Sequence, residues 1–475
     1  MRWISRRGLR WFYRDVGFTG TERIPDEGPV LLVANHPNDL TDVMLVLLST
    51  RRPVRFVATA TAAESLPVHW AYQGMGVIPV TRVRDARRMR ERGVDMAAAN
   101  RTAFARVSDA LAAGGIVALF PEGGVHPGPD IGTLRSGVAR LAVDCVVSGA
   151  VQGLKVIPVG SQYERPQCSG SDATAAVGAP LVLDHWLETA TGKPHVAFTV
   201  EMRRLLEGVC RTALTADEAH QRNRTLAAAG GSIAEPNERP MAAAGRLHAG
   251  WTRLATDPVS AAAVTAICDA TAALGGSPVS ALDCRRVLMA ASGQRSDRSD
   301  RSDRSDRSDR SAPLSALALA LLAPFAALGF LLHAPAFAAV ATLSRRLSTS
   351  HADVAARAII PGLYLMFLWY AVLAVTAGAL LHGAWPGDGV SLPLAVLFSF
   401  GFLMVLPRLG DAAIRWPREW SAHRLIARVR RLTDEERATL RTSMHTLRLA
   451  CASHIQDSAV TSAVTSAVTV QAGVA

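Results

Sequence analysis

The chain has 475 residues, 49% of them hydrophobic, with a positive mean hydropathy. That leaves room for one sizeable α/β domain and something further, and it prompts a search for membrane segments. A net charge of +11 and a pI of about 10.1 favour acidic partners (nucleic acid, anionic lipid headgroups or phosphorylated substrates), while six scattered Cys, without a CxxC pair or a His at ligand spacing, suggest neither a disulfide framework nor a zinc site.

Residues 1–19 mix Arg with Trp3, Trp11, Phe12 and Tyr13. They read equally as a basic interfacial helix, Arg toward lipid phosphate and rings toward acyl chains, or as an amphipathic helix packed on its own domain. The first 20 residues are too polar for a secretory h-region, so the following domain is expected on the cytoplasmic face. From 20 to 212 strand-like and helix-like stretches alternate. Strands are predicted over 30–34, 54–59, 76–80, 115–120, 154–160 and 196–200. Helices are predicted over 40–49, 62–73, 96–113, 134–148 and 201–212. Such alternation predicts an α/β domain whose site lies in loops at strand C-termini.

Residues 213–294 read as a helical extension with no chemistry-bearing pattern. Residues 295–311 repeat Arg-Ser-Asp. Each Asp cancels an Arg and nothing there can bury a core, so a disordered spacer is favoured over an RNA-binding run. Residues 312–410 read as a membrane region. Residues 312–340 are broken by Pro324 and Pro335, and 359–381 and 391–407 carry no charge. Arg-rich flanks at 345–357 and 408–431 predict a transmembrane hairpin from the two uncharged segments, both ends cytoplasmic. The segment 312–340 must then enter and leave on one side, as a re-entrant or interfacial helical pair. Residues 411–475 are expected to form a basic amphipathic tail on the membrane surface with a disordered Thr-Ser-Ala-Val end.

Four stretches carry chemistry. Val30–Ala34 is a buried strand that stops at Asn35-His36-Pro37-Asn38, because Pro37 cannot donate to a ladder. A helix begins near Asp39–Asp42. A strand-tip His with a carboxylate about one turn further on is a general-base arrangement, the Asp fixing the tautomer and stabilising the imidazolium; alone, the same His reads equally as a solvated loop residue. The second stretch, Gly76 to Arg82, puts an Arg at a strand tip, suited to bidentate phosphate. The third, Gly115 to Gly124, runs into Phe120-Pro121-Glu122-Gly123, where Glu122 can reach a polyol hydroxyl or the site His. The fourth is the buried strand Val156–Gly160.

Together these stretches resemble, in order and spacing, the four motif blocks of the glycerolipid acyltransferase family, the glycerol-3-phosphate and lysophosphatidate acyltransferases. Leu134-Arg135-Ser136-Gly137 is similar to that family's stretch opening the next helix. The resemblance implies an α/β, glycerol-phosphate acyltransferase-like domain over 20–212, with a mixed sheet flanked by helices and followed here by a C-terminal membrane-embedded helical region. It implies His36 and Asp42 as the catalytic pair, Arg82 as the phosphate ligand, and Asn38, Glu122, Gly123 and Arg135 as further substrate-binding residues. It implies no metal or cofactor; acyl-CoA or acyl carrier protein is the donor substrate. Two departures stand out. Five residues rather than four separate His36 from Asp42, which resembles a subgroup acting on glycerol-3-phosphate or dihydroxyacetone phosphate and leaves Asp39 as the fallback orienter. Gly124-Val125-His126 replaces the family's Thr-Arg-Ser, so Arg135 or His126 must supply the missing cation.

The expected function is thus transfer of a fatty acyl group from a thioester to a glycerol phosphate in phospholipid biosynthesis, by a multi-pass membrane protein with no nucleic-acid partner. The alternatives are a 1-acylglycerol-3-phosphate or other lysolipid acyltransferase, and a non-enzymatic basic lipid-binding scaffold, which leaves His36, Asp42 and Phe120–Gly123 without a task.

Overall fold

The computed structural model describes residues 2–59, 76–81, 91, 93, 95–128, 130–210, 215–235, 238–245, 247, 251–292, 314–347, 354–383 and 392–472. The helix expected over 62–73, Arg82 and the linker 295–311 lie outside them.

The chain opens with α1 (Arg2–Phe12), β1 (Asp15–Thr19), β2 (Val30–Ala34), α2 (Leu40–Leu48), β3 (Val54–Thr59) and β4 (Ile78–Val80). There follow α3 (Met96–Ala112), β5 (Ile116–Leu119), α4 (Ser136–Val147), β6 (Lys155–Tyr163), β7 (Asp172–Val177) and β8 (Leu181–Val182). Two helices, α5 (Leu183–Thr189) and α6 (Pro194–Glu207), close the domain. The strands form a mixed sheet in the order β1-β7-β6-β2-β5-β3-β4, with β8 pairing β6. The central β6-β2-β5 ladder is parallel, Val30 pairing Lys155 on one side and Ile116 on the other, whereas β7 and β8 run antiparallel to β6. Every residue of β2 is buried, the pattern of a strand covered on both faces. Leu31 and Val33 pack under α3, α4 and α6. Val30 and Leu32 face α1 and α2. Pro158 in β6 lies between the stretches paired by β8 and β7, and its carbonyl accepts from Gly178. Its missing N–H points into that gap, so a proline is tolerated inside the sheet.

Two expectations in this domain are corrected. The strand expected over 196–200 lies inside α6. Phe198, Met202 and Leu206 are its buried residues, a spacing of four that fits a helix, with Pro194 at its start. The interfacial helix expected over 1–19 ends at Phe12, and Asp15–Thr19 is an edge strand. One face of α1 is buried: Leu9 and Phe12 join the sheet core, and Arg2 donates to the carbonyls of Leu47, Thr50 and Arg52.

Beyond the sheet come α7 (Ala216–Ile233), α8 (Pro240–Gly245), α9 (Trp251–Thr256), α10 (Pro258–Ala273) and α11 (Ala281–Ala291). Four long helices follow, α12 (Ala316–Leu347), α13 (Val354–Gly383), α14 (Leu392–Val429) and α15 (Asp434–Ala472). Three of these, α12 to α14, contain segments long and apolar enough to cross a membrane, with large apolar side chains such as Leu321, Phe325, Phe367, Leu397 and Phe400 exposed. The expected re-entrant pair over 312–340 is instead one continuous helix through Pro324 and Pro335. Packing holds it: Gly329 lets the backbone approach the Leu409 carbonyl so closely that a methyl would collide, and Trp369 Nε1 donates to Leu332 O across 2.7 Å. Neighbouring helices commonly offset the loss at such prolines.

The tail is also corrected. Leu425, Val429, Leu440, Met444 and Leu447 share a core with α7, α10 and α11, so this part of 411–475 covers the extension rather than a membrane surface. The end expected to be disordered is helical to Ala472; no Gly or Pro interrupts 434–472.

Candidate active site

The tips of β2, β5 and β6 meet at one edge of the sheet, and the site is built there. Asn35 extends β2 by one clamp: its amide nitrogen donates to Ser161 O (3.1 Å) and its amide oxygen accepts from Ser161 N–H (2.7 Å). The next residue, His36, is held through its backbone. Its N–H donates to Glu122 Oε1 (2.8 Å), and its carbonyl accepts from His126 N–H (2.8 Å). Its ring stacks on Phe120, with centroids 4.0 Å apart and planes 15° from parallel. His36 Nδ1 lies 2.9 Å from Asp42 Oδ2. Facing a carboxylate, Nδ1 carries the proton, which leaves Nε2 as the proton acceptor.

Asp42 is fully buried in the first turn of α2, where the helix dipole favours a carboxylate. The additional residue between His36 and Asp42 is absorbed at Asp39, which has φ 48° and ψ −128° and is the one described non-glycine residue at positive φ. This backbone turn, rather than Asp39 as orienter, closes the pair. Asp42 Oδ2 also accepts from Asn38 N–H (2.7 Å), and Oδ1 accepts from Tyr163 O–H (2.5 Å). Behind them Asn38 Nδ2 donates to Tyr13 Oη (2.7 Å), and Tyr13 O–H donates to Pro166 O (2.9 Å). Burial pushes both phenols above their ordinary range, so both remain protonated donors. Such an array holds an imidazole with one nitrogen unpartnered among the described residues and the other charge-stabilised, which is the geometry of a general base.

Within this geometry lies a family segment: residues 15–162 match the Acyltransferase family model. This part of the chain is similar to an acyltransferase domain. An uncharacterized acyltransferase of Schizosaccharomyces pombe is 25% identical over 256 residues, 38% of this chain and 38% of that protein. Glycerol-3-phosphate O-acyltransferases 2 and 1 of Saccharomyces cerevisiae are 34% and 32% identical over 85 and 78 residues, 18% and 16% of this chain and 11% and 10% of theirs. The chain therefore spans well under two thirds of each of these relatives. Among solved structures, the 1-acyl-sn-glycerophosphate acyltransferase PlsC from Thermotoga maritima aligns with a TM-score of 0.32 and 19% identity, covering 43% of this chain and 78% of that one.

The sheet domain places the remaining expected residues unevenly. Asn38, expected at the substrate, is fully buried, and its amide nitrogen is spent on Tyr13 and Pro166; it braces the loop. Glu122 is buried, with both oxygens on backbone N–H groups, Oε1 on His36 and Oε2 on Gly132 (2.9 Å). Burial raises its pKa against the pull of those two bonds. It clamps the His36 strand tip to the 131–132 loop, which Arg203 holds from behind through the carbonyls of Ile131 and Gly132. Gly123 sits at φ 69° in the following turn, its α-carbon facing the aliphatic stem of Arg135. Arg135 is exposed at the start of α4. His126 is half-buried and pairs with Asp130 (3.1 Å). Arg82 lies outside the described residues, but its neighbour Thr81 is locked to Asn100 of α3: Thr81 N–H donates to Oδ1 (2.8 Å), and Nδ2 donates back to Thr81 O (3.0 Å). Sequence reading missed Tyr13, Tyr163 and Asn100. Each acts across the fold, and no local pattern marks it.

Proposed function

We propose that this chain is a membrane-associated O-acyltransferase moving a fatty acyl group from a thioester donor to glycerol-3-phosphate or dihydroxyacetone phosphate. The observation that carries the reading is the 2.9 Å His36–Asp42 pair at the strand tip inside the Acyltransferase match. The names of the two budding-yeast relatives support glycerol-3-phosphate as acceptor.

His36 Nε2 takes the acceptor hydroxyl proton as its oxygen attacks the thioester carbonyl carbon. The new C–O bond forms, the C–S bond breaks, and the thiolate leaves with the proton returned by the imidazolium. Asp42 stabilises that imidazolium. The reaction so written draws on no metal or redox group. Arg82 and Arg135 are the cations proposed for the acceptor phosphate. The exposed apolar helices support attachment to a membrane, with the acyltransferase domain on its cytoplasmic face.

In full-length protein reconstituted with palmitoyl-CoA and glycerol-3-phosphate, His36→Ala should lower kcat by at least ~100-fold, the usual worth of a positioned base. Full activity in that variant would end the mechanism. Arg82→Ala should act mainly on the acceptor KM, the mark of lost substrate binding.

A further inference from the structure

We propose that Tyr163 is a positioning residue for the catalytic pair, a role that rests on the acyl-transfer reading above. From the last position of β6 its phenol donates to Asp42 Oδ1 across 2.5 Å, while Oδ2 is left to His36 Nδ1 and Asn38 N–H. One carboxylate thus meets three donors, and its plane is fixed. Any rotation that swings Oδ2 away from the imidazole also breaks the Tyr163 bond. Asp42 is wholly buried and Tyr163 is 9% exposed, so water does not compete for these oxygens. An O–H···O⁻ bond of this length belongs to the strong, charge-assisted kind.

The phenol is itself braced. Its ring packs against Tyr13 with centroids 5.6 Å apart, and its oxygen lies 3.1 Å from Thr41 Oγ1, whose hydroxyl donates to Asn38 O (2.6 Å). Rigid β6 therefore sets the carboxylate, and the carboxylate sets the imidazole. Tyr163 stands on the side of Asp42 away from His36 Nε2 and touches no reacting atom. Its contribution falls on the step in which the imidazolium forms, so its loss appears in kcat and not in KM.

The test compares Tyr163→Phe with Tyr13→Phe in the reconstituted full-length protein, measuring kcat, both KM values and the thermal midpoint. Both remove one buried hydroxyl, but only Tyr163 touches Asp42. Tyr163→Phe should lower kcat by about 10- to 100-fold, the range for an outer-shell partner, with KM for glycerol-3-phosphate and palmitoyl-CoA within about twofold. Tyr13→Phe should lose a comparable amount of thermal stability with a clearly smaller drop in kcat. A folded Tyr163→Phe with wild-type kcat overturns the proposal, and so do equal kcat losses in the two variants that track their thermal midpoints. His36→Ala, assayed alongside, separates the two readings. If it is inactive while Tyr163→Phe is unimpaired, only the positioning role fails; if it is fully active, the acyl-transfer mechanism fails.

Discussion

Asp39 stores backbone strain so that His36 and Asp42 can meet. Its positive φ costs a non-glycine residue roughly 1–3 kcal/mol. The surrounding bonds outweigh that cost, with Thr41 Oγ1 on Asn38 O and Asn38 N–H on Asp42 fixing the turn from both ends. Glu122 does the matching work across the loop. Its carboxyl titrates above its ordinary value of 4.5 because it is buried, so the folded chain holds that proton more tightly than the unfolded chain does. The resulting stability is complete below the ordinary value and is lost as pH rises through the elevated folded one. Urea unfolding followed upward from the ordinary value of 4.5 should therefore show the wild type losing stability relative to Glu122→Gln as pH rises. Parallel profiles for the two proteins would contradict this.

At the scale of elements, α1 joins the sheet to the apolar helices. Its C-terminal carbonyls have no partners within the helix. Arg418 of α14 reaches across and donates to the carbonyls of Arg10, Trp11, Phe12 and Tyr13 at 2.9–3.4 Å. Two turns earlier in α14, Asp411 accepts from Trp11 Nε1 (3.0 Å) and pairs with Arg7 (2.8 Å). The end of α1 is thus held from α14 at the point where Tyr13 turns toward Asn38. Arg418→Ala should destabilise the protein by about 1–3 kcal/mol, the range for losing hydrogen bonds from a charged donor. Arg418→Lys should recover only part, since an ammonium cannot fork across several carbonyls. Thermal unfolding in detergent checks both, and a wild-type midpoint for Arg418→Ala would show the contact to be dispensable.

For the whole molecule, the shared core of α7, α10, α11, α14 and α15 limits the topology. Residues 263–291 and 425–447 pack together, so they occupy one side of any membrane, and the chain between them crosses an even number of times. Of the three described helices long enough to span, therefore, not all should make full crossings. The Arg-rich flanks favour α13 and the first half of α14 as the crossing hairpin. In sealed vesicles of both orientations, an impermeant thiol reagent should reach cysteines placed at Arg345 and Arg415 from one face and a cysteine at His382 from the other. Labelling of 345 and 415 from opposite faces would overturn the hairpin.

The strands β2, β5 and β6 and the apolar runs of α13 and α14 were legible in the amino-acid order as continuous hydrophobic stretches, whereas α12 was read as a broken pair. His36 with Asp42 was legible for a related reason: only five residues separate the two. β7 was not, since half of Asp-Ala-Thr-Ala-Ala-Val is Ala and it opens on Asp, residue types depleted in strands, and no aromatic marks it. Nor was the first half of α6, read as a strand over 196–200 because its apolar residues fit either period over a short window. Local order alone determined the chemistry available at the tip of β2. Tertiary structure decided which residues hold it: Tyr163 is 121 positions from Asp42, and Arg418 is 405 from Tyr13. It also decided that the tail completes the extension's core. Such pairings depend on the complementary shape and charge of distant surfaces, and no periodicity within either segment encodes them.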